Sequence, residues 1–376
     1  MNPPRILIVA GGTGGHLYPG IAVAQALWRA PLSEGQRRPE IRFVVRRGDL
    51  GREILQREGF DVREIAGQGL PRRLSPTLFK FPAAFLNSCR ETFALLDEEK
   101  PDFVLGMGGY LSFPVLLAAT WKRIPTLIHE QNAFPGLANR LLGRWVHSIA
   151  VSFPGSDSFF PKRKTWLSGL PVRLTLKAIE PALARETLGL KKNCLTFLAF
   201  GGSLGAHRLN EILLDVWQRL VAAGKPFQVL HISGPRDFAV FETAFKEAKI
   251  PGKLLSYCHD MPSAYAAADI VIARSGASTI AELTAIGRPA ILIPYPYATN
   301  DHQWFNAQVL VQKGCAEAIR EKDLRADVLA QRLQHFIDDA PALLSWQARC
   351  YNAEFTTPKI NPAVILAKHI LEKAGV

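Results

Sequence analysis

The sequence predicts an α/β protein made of two doubly wound lobes, each a parallel sheet with helices on both faces. Short apolar runs alternate with helix-like stretches through both halves of the chain, which is the signature of repeated βαβ units. Several of these runs lead directly into glycine-rich turns, the place where open sheets of this class bind ligands. A third observation separates the lobes: Pro154, Gly155, Pro161, the cluster Lys162-Arg163-Lys164 and Gly169 crowd into one stretch, as at a domain boundary.

In the first half, strands are expected at 5–10, 41–45, 62–65, 102–105, 125–128 and 147–150, with helices at 19–29, 49–58 and 113–121. In the second half, strands are expected at 195–200, 227–232, 254–258, 270–273, 290–293 and 316–319, with helices at 206–223 and 277–286. Helices at 325–338, 341–354 and 361–373 close the chain. The first lobe is expected to take 1–165 and the second 166–357. A C-terminal helix such as that within 358–376 often packs back on the first lobe of a two-lobed protein, but the sequence leaves its placement open.

Composition narrows the class. The 376 residues suit two domains. Lys and Arg number 45 against 33 Asp and Glu, a net charge of +12, which favours anionic partners such as nucleotides, pyrophosphates or anionic lipid. The basic residues are not interleaved with aromatics in one stripe, and no nucleic-acid motif is present. The five cysteines are scattered without a C-x-x-C pair, as suits a reducing compartment. The N-terminus runs straight into a strand with no leader-like region, and no apolar run approaches the ~20 residues that span a bilayer. A soluble or peripheral protein is expected.

Each glycine loop has its own reading. Strand 5–10 opens into Gly11-Gly12-Thr13-Gly14-Gly15-His16, which lets the backbone approach an anion at a helix N-terminus. A nicotinamide-binding fingerprint fits poorly: Leu17 stands at the third glycine position, and strand 41–45 ends in Arg46-Arg47 with no acid for a ribose. Strand 102–105 leads to Gly106-Met107-Gly108-Gly109-Tyr110. Strand 125–128 leads to His129-Glu130-Gln131-Asn132, four polar residues that packing alone does not explain, although Asn132 also suits a helix cap. In the second half, Gly201-Gly202-Ser203-Leu204-Gly205-Ala206 makes another anion-binding turn; lacking Lys-Ser/Thr, it is not an ATPase loop. Arg274-Ser275-Gly276-Ala277-Ser278-Thr279 follows strand 270–273. Glu282 beyond it reads either as a ribose acceptor or, with Thr279, as a capping box. Asp301-His302-Gln303 and Asn306 follow a proline-rich turn.

Taken in order, GGTGGH at 11–16, GGY at 108–110, HEQN at 129–132, GGSLGA at 201–206, RSGAST at 274–279 with Glu282, and DHQ at 301–303 with Asn306 resemble the UDP-N-acetylglucosamine:undecaprenyl-diphospho-muramoylpentapeptide N-acetylglucosaminyltransferases of bacterial peptidoglycan synthesis. The resemblance implies two Rossmann-like lobes in the GT-B arrangement, with the active site in the cleft between them. It implies an inverting transfer to the muramic acid 4-hydroxyl, forming a β-1,4 link, with no cofactor and no metal. It places the donor site in the second lobe: Arg173 and Ser203 at the diphosphate, Glu282 at the ribose, Tyr257, Cys258 and Met261 at the uracil, His302 and Gln303 at the sugar. In the first lobe, Thr13, Gly14, Gly15 and His16 would face the transferred sugar and acceptor, with Tyr110, His129, Glu130, Asn132 and Asn139 nearby. Leu170 and Leu204 stand where the family has Asn and Gln, removing two polar groups near the diphosphate.

An acceptor hydroxyl needs a base within hydrogen-bond reach. His16 is the first choice, with Glu130 and Asp49 in reserve. The partners implied are UDP-N-acetylglucosamine, the undecaprenyl-linked muramoylpentapeptide, an anionic membrane surface and other cell-wall synthesis proteins, with no nucleic acid. The location implied is peripheral, at the cytoplasmic face of the bacterial cell membrane. Segment 70–96, with Arg72, Arg73, Lys80 and several large apolar residues, is the expected docking surface. The alternatives are a UDP-sugar 2-epimerase and a nucleotide-sugar-binding scaffold without turnover.

Overall fold

The computed structural model describes residues 3–11, 14–31, 37–49, 51–67, 77–172, 179–202, 205–353 and 361–375, with backbone alone for 77–85. Thr13, Arg173, Ser203 and Leu204 fall outside the described residues, as do Leu70, Arg72, Arg73 and Leu74. The chain divides into two compact units, Met1–Arg173 with Thr356–Val376, and Leu174–Phe355.

The first unit is built on β1 (Arg5–Val9), α1 (Gly14–Arg29), β2 (Glu40–Arg46), α2 (Gly51–Arg57), β3 (Asp61–Ile65), α3 (Thr77–Glu99), β4 (Phe103–Gly106), α4 (Ser112–Trp121), β5 (Thr126–Glu130), α5 (Leu137–Leu142), β6 (Ser148–Val151) and β7 (Thr165–Leu167). Its sheet runs β3-β2-β1-β4-β5-β6-β7, with every described pairing parallel. Ile6, Leu7, Ile8 and Val9 are all buried, because helices cover both faces of a parallel sheet and its central strand needs a continuous apolar run. One face packs on α1, the other on α3, α4 and α5.

The second unit contains α6 (Pro181–Thr187), β8 (Thr196–Phe200), α7 (His207–Ala222), β9 (Gln228–Ile232), α8 (Phe238–Glu247), β10 (Gly252–Leu255), α9 (Met261–Ala267), β11 (Ile270–Ala273), α10 (Ala277–Ile286), β12 (Ala290–Leu292), α11 (His302–Val311), β13 (Ala316–Ala318), α12 (Ala326–Asp338) and α13 (Ala340–Asn352). Its sheet order is β10-β9-β8-β11-β12-β13. Helix α7 shows why the elements form where they do. Leu209, Ile212, Leu213, Val216, Trp217 and Leu220 are buried at helical spacing, and the charged residues between them face water.

Three differences from the expectation bear on the loops and on the boundary between the units. Helix α1 starts at Gly14 and runs through Pro19, so Gly15 and His16 belong to its first turn; Pro19, the sixth residue, lies beyond the four N-terminal positions that need no intrahelical donor, and the helix forgoes one backbone hydrogen bond there. Strand β10 ends at Leu255, which leaves Tyr257 and Cys258 in the loop beyond it. Strand β7 was not expected; it lies within the Pro- and Gly-rich boundary and adds an edge to the first sheet, so the first unit runs on to Arg173.

The last helix, α14 (Pro362–Lys373), belongs to the first unit. Asn361 caps it by accepting from the Ala363 N–H at 2.8 Å, with Pro362 at the first helical position. Ala363, Leu366, Ala367 and Ile370 are buried in the core cluster that contains Ile21, Ala24 and Leu27 of α1. Leu366→Ala is therefore expected to lower the unfolding free energy by about 2–4 kcal/mol. A loss below about 1 kcal/mol in urea titration would show that α14 is not part of this core.

Candidate active site

In both sheets the strand order reverses once, between β1 and β4 and between β8 and β11. Open α/β sheets bind ligands at this switch point, beyond the carboxyl ends of the strands. The glycine loops expected to carry function all leave these strands or their neighbour β5.

In the first unit three loops meet around one imidazole. His16 Nδ1 lies 3.1 Å from Gln131 Oε1. The Gln131 amide is oriented by its other end, where Nε2 donates to the Met107 carbonyl at 2.5 Å and the His129 carbonyl at 3.1 Å. Gly108 has φ +92°, and a Cβ there would lie 3.1 Å from both Gln131 Oε1 and His16 Cε1. Only glycine gives this turn both its left-handed backbone and room for the pair. Ser112 Oγ, buried, closes the turn by donating to the Gly108 carbonyl at 2.7 Å. Tyr110, at the end of the turn, is 49% exposed.

His129 and Glu130 point inward. His129 is fully buried, and its Nε2 donates to the Gly169 carbonyl at 3.0 Å. Burial pushes its pKa down to about 4, opposed by that carbonyl and reinforced by the nearby His16. Glu130 is 1% exposed. Its Oε1 accepts from the Asn132 backbone and side chain at 2.9 and 3.3 Å; Oε2 accepts from Gly136 N at 3.1 Å and Asn139 Nδ2 at 2.9 Å. Burial raises its pKa against these hydrogen bonds. Both oxygens are committed to the loop, so Glu130 fastens the loop and is not placed as a proton acceptor. The capping role open to Asn132 is not what forms: α5 is preceded by Gly136, with no side-chain cap. Asp49 accepts from the Gly51 N–H at 3.0 Å at the start of α2.

The second unit has two clusters. Behind the loop after β8, Asn210 Nδ2 donates to the Ser233 carbonyl at 2.8 Å and to Asp237 at 2.7 Å, and its Oδ1 lies 3.1 Å from His231 Nε2. Gly205, with φ +77°, has the Ser233 carbonyl where a Cβ would stand. Burial pushes the His231 pKa down to about 4, and Trp217 Nε1 donates to its Nδ1 at 3.3 Å.

Beyond β11, the fully buried Ser275 donates from Oγ to the Gln303 carbonyl at 2.8 Å, and Asn306 Nδ2 donates to the Ser275 carbonyl at 3.3 Å. Gln303 Oε1 accepts from Tyr295 N at 2.9 Å; His302 Nδ1 is 2.8 Å from the Thr299 carbonyl. Buried Arg274 pairs with Glu321 and donates to the carbonyls of Ile293 and Pro294.

Helix α10 begins at Ala277 after Gly276. Thr279 thus lies inside the helix, and the capping-box reading of Thr279 and Glu282 is excluded. Instead the buried Tyr265 hydroxyl donates to Glu282 Oε2 at 2.7 Å. Burial and this carboxylate push the phenol pKa well above its usual value, so it stays a donor. Cys258 is buried, and Met261 opens α9. Among the described residues, no group of three or more His, Cys, Asp or Glu is placed to hold a metal ion.

Two contributors were not singled out from sequence. Gln131 was legible only as one of four polar residues. Tyr265, amid small residues, gave no signal beyond the rule that a buried tyrosine hydroxyl needs a partner.

The buried histidines set a pH dependence. Their folded pKa of about 4 lies below the ordinary 6.5. Between these values the unfolded chain binds more protons, so stability is full at neutral pH and falls on acidification. Each ring is expected to remove about 2 kcal/mol of unfolding free energy between pH 7 and pH 5. Urea titrations at the two pH values check this; an unchanged midpoint would show that both rings protonate in the folded chain.

The glycosyltransferase family 28 N-terminal domain matches residues 6–151, and the family 28 C-terminal domain matches residues 196–357. The UDP-N-acetylglucosamine–N-acetylmuramyl-(pentapeptide) pyrophosphoryl-undecaprenol N-acetylglucosamine transferase of Thermodesulfovibrio yellowstonii is 37% identical over 334 residues, 89% of this chain and 90% of its own. The protein of the same name from Caldanaerobacter subterraneus is 40% identical over 346 residues, 91% of this chain and 93% of its own. The crystal structure of Acinetobacter baumannii MurG matches with a TM-score of 0.74 at 28% identity, covering 98% of this chain and 100% of that one. A UDP-GlcNAc 2-epimerase from Neisseria meningitidis matches with a TM-score of 0.67 at 14% identity, over 98% of this chain and 100% of its own, which shows a shared fold alone. With two parallel-sheet lobes of the GT-B class and both domain models matched in order, the chain belongs to glycosyltransferase family 28.

Proposed function

We propose that this chain transfers N-acetylglucosamine from UDP-N-acetylglucosamine to the muramic acid 4-hydroxyl of undecaprenyl-diphospho-muramoylpentapeptide, with inversion at the anomeric carbon. One observation carries the reading. In a chain 40% identical to a transferase of that name, the loops that bear the resemblance leave the carboxyl ends of β1, β4 and β5 in one sheet and of β8 and β11 in the other.

In this reading His16 takes the proton of the 4-hydroxyl as its oxygen attacks C1, and UDP leaves from the opposite face. Thr13, Gly14, Gly15 and Asn132 are assigned to the transferred sugar on the resemblance alone. Tyr110 is exposed enough to touch the acceptor. His129 and Asn139 are buried and serve by holding the loop. Glu130 does the same, which leaves His16 ahead of the two reserve bases. On the donor side, the diphosphate meets Ser203, Arg173 and the N-terminus of α7, whose dipole favours negative charge. Glu282, its carboxylate held by Tyr265, accepts from the ribose hydroxyls. Gln303, with Oε1 engaged by Tyr295, offers its NH2 to the sugar beside His302. Cys258 and Met261 border the uracil with Tyr257. The buried Leu170 packs as an apolar residue and contributes nothing polar to the donor.

His16→Ala is expected to lower turnover by about two to four decades, with the donor KM little changed. A loss under tenfold would transfer the base role to Asp49. Glu282→Ala is expected to weaken UDP binding by about 1.5–3 kcal/mol; unchanged affinity in calorimetry would remove Glu282 from the ribose. Radiolabelled donor with a lipid acceptor separates transfer from 2-epimerisation, since only transfer labels the lipid.

No helix among the described residues is long and apolar enough to cross a membrane. In the proposed reading the chain works peripherally at the cytoplasmic face, where it would also meet other cell-wall synthesis proteins. It docks through segment 70–96. Most of that segment's side chains lie outside the described residues; Leu86 is 68% exposed. The charge reversal Arg72→Glu/Arg73→Glu/Lys80→Glu is expected to reduce co-sedimentation with anionic vesicles, since each basic residue near such a surface contributes about 1 kcal/mol. Equal sedimentation of variant and wild type would remove the segment as the docking site.

A further inference from the structure

We propose that Gln131 is the positioning residue for His16, its carboxamide oxygen fixing the imidazole in the Nδ1–H tautomer so that Nε2 carries the lone pair used in the transfer. The proposal rests on the reading of His16 as the base and names the device that prepares it.

The hydrogen-bond pattern settles the orientation of both groups. One end of the Gln131 amide faces two backbone carbonyls, Met107 O at 2.5 Å and His129 O at 3.1 Å. Only NH2 satisfies both, so the end 3.1 Å from His16 Nδ1 is the oxygen. An oxygen accepts only from a protonated nitrogen, so neutral His16 holds its proton on Nδ1. The next ring supports the assignment. His129 Nε2 faces the Gly169 carbonyl and must be protonated, which leaves Nδ1 as an acceptor 3.3 Å from Gln131 Nε2. Gln131 is 1% exposed, and Gly108 leaves room for the contact, since a Cβ there would lie 3.1 Å from Gln131 Oε1 and His16 Cε1.

The chemistry follows. As the acceptor oxygen bonds to C1 and the bond from C1 to the diphosphate oxygen breaks, UDP leaves with the electron pair and the hydroxyl proton passes to His16 Nε2. The Nδ1–H keeps donating to Gln131 in both protonation states, so no hydrogen bond is lost during transfer. Because the partner is an amide, the imidazolium gains orientation without a negative charge to retain its proton. A free histidine favours the other tautomer, whose Nε2–H cannot accept the acceptor's proton.

The test uses nitrogen-15 NMR of the full chain labelled at histidine, alongside steady-state kinetics of wild type, Gln131→Leu, Gln131→Glu and His16→Ala. Wild-type His16 is expected as the Nδ1–H tautomer. Gln131→Leu should shift it to Nε2–H and lower kcat about ten- to a hundredfold, with the donor KM within about twofold. In Gln131→Glu a buried carboxyl facing Met107 O stays protonated, still accepts from Nδ1–H, and restores both tautomer and most of the turnover. An Nε2–H tautomer in wild type overturns the proposal, whether or not any variant folds. If Gln131→Leu keeps both tautomer and turnover while His16→Ala loses turnover, the positioning role falls and the base reading stands. Turnover of His16→Ala within tenfold of wild type overturns both.

Discussion

The parallel pairing of every described strand is the constraint on which the rest depends. When all strands run one way, all their carboxyl ends lie on one edge of the sheet, and each loop leaving that edge starts from a rigid, buried anchor. Where the order reverses, adjacent strands send their crossovers to opposite faces and a gap opens between the loops. This chain makes that arrangement twice, with the same order of the first six strands in each sheet. Its glycine loops, otherwise four separate turns in the sequence, gather in pairs at the two reversals.

A second constraint then shapes the chemistry. Polar groups buried at a strand end must find partners, since an unmet donor or acceptor costs about 1–3 kcal/mol. At the end of β5 the requirement is met by dividing the labour. Glu130 satisfies four donors of its own loop, His129 reaches the Gly169 carbonyl, and Gln131 ties the Met107 and His129 carbonyls to His16. The residues with the strongest chemical character are thus spent on holding shape, and the neutral amide aims the one imidazole on the glycine loop. The second unit follows the same logic with different residues. Tyr265 fixes Glu282, and Asn210 of α7 holds the Ser233 carbonyl, the group against which Gly205 packs.

Helix α14 adds a constraint from far along the chain. It belongs to the first unit although the second unit lies between it and the rest of that unit in sequence. The apolar face it shares with α1 contributes to the core beneath the helix that carries His16. The helix that carries His16 therefore packs on residues hundreds of positions away.

The sequence alone determined the architecture. Apolar runs as pure as Ile6-Leu7-Ile8-Val9, and helical spacing as regular as that of α7, leave little choice of local structure, and local structure repeated in alternation implies parallel sheets. It also located the loops, because glycine clusters and polar runs after strands have no packing explanation. Short or weakly patterned pieces were not legible. β7 is three residues long, and α9 hides among alanines. Only the tertiary structure decided which polar residue meets which partner. In sequence His16 ranked ahead of Glu130, Gln131 was one polar residue among four, and Glu282 fitted a capping box as well as a ligand contact. Burial and hydrogen-bond partners separate these possibilities, and both arise from groups brought together across large separations: Gln131 to His16, His129 to Gly169, Tyr265 to Glu282. Such pairings depend on strand order and register, which no local stretch of sequence encodes.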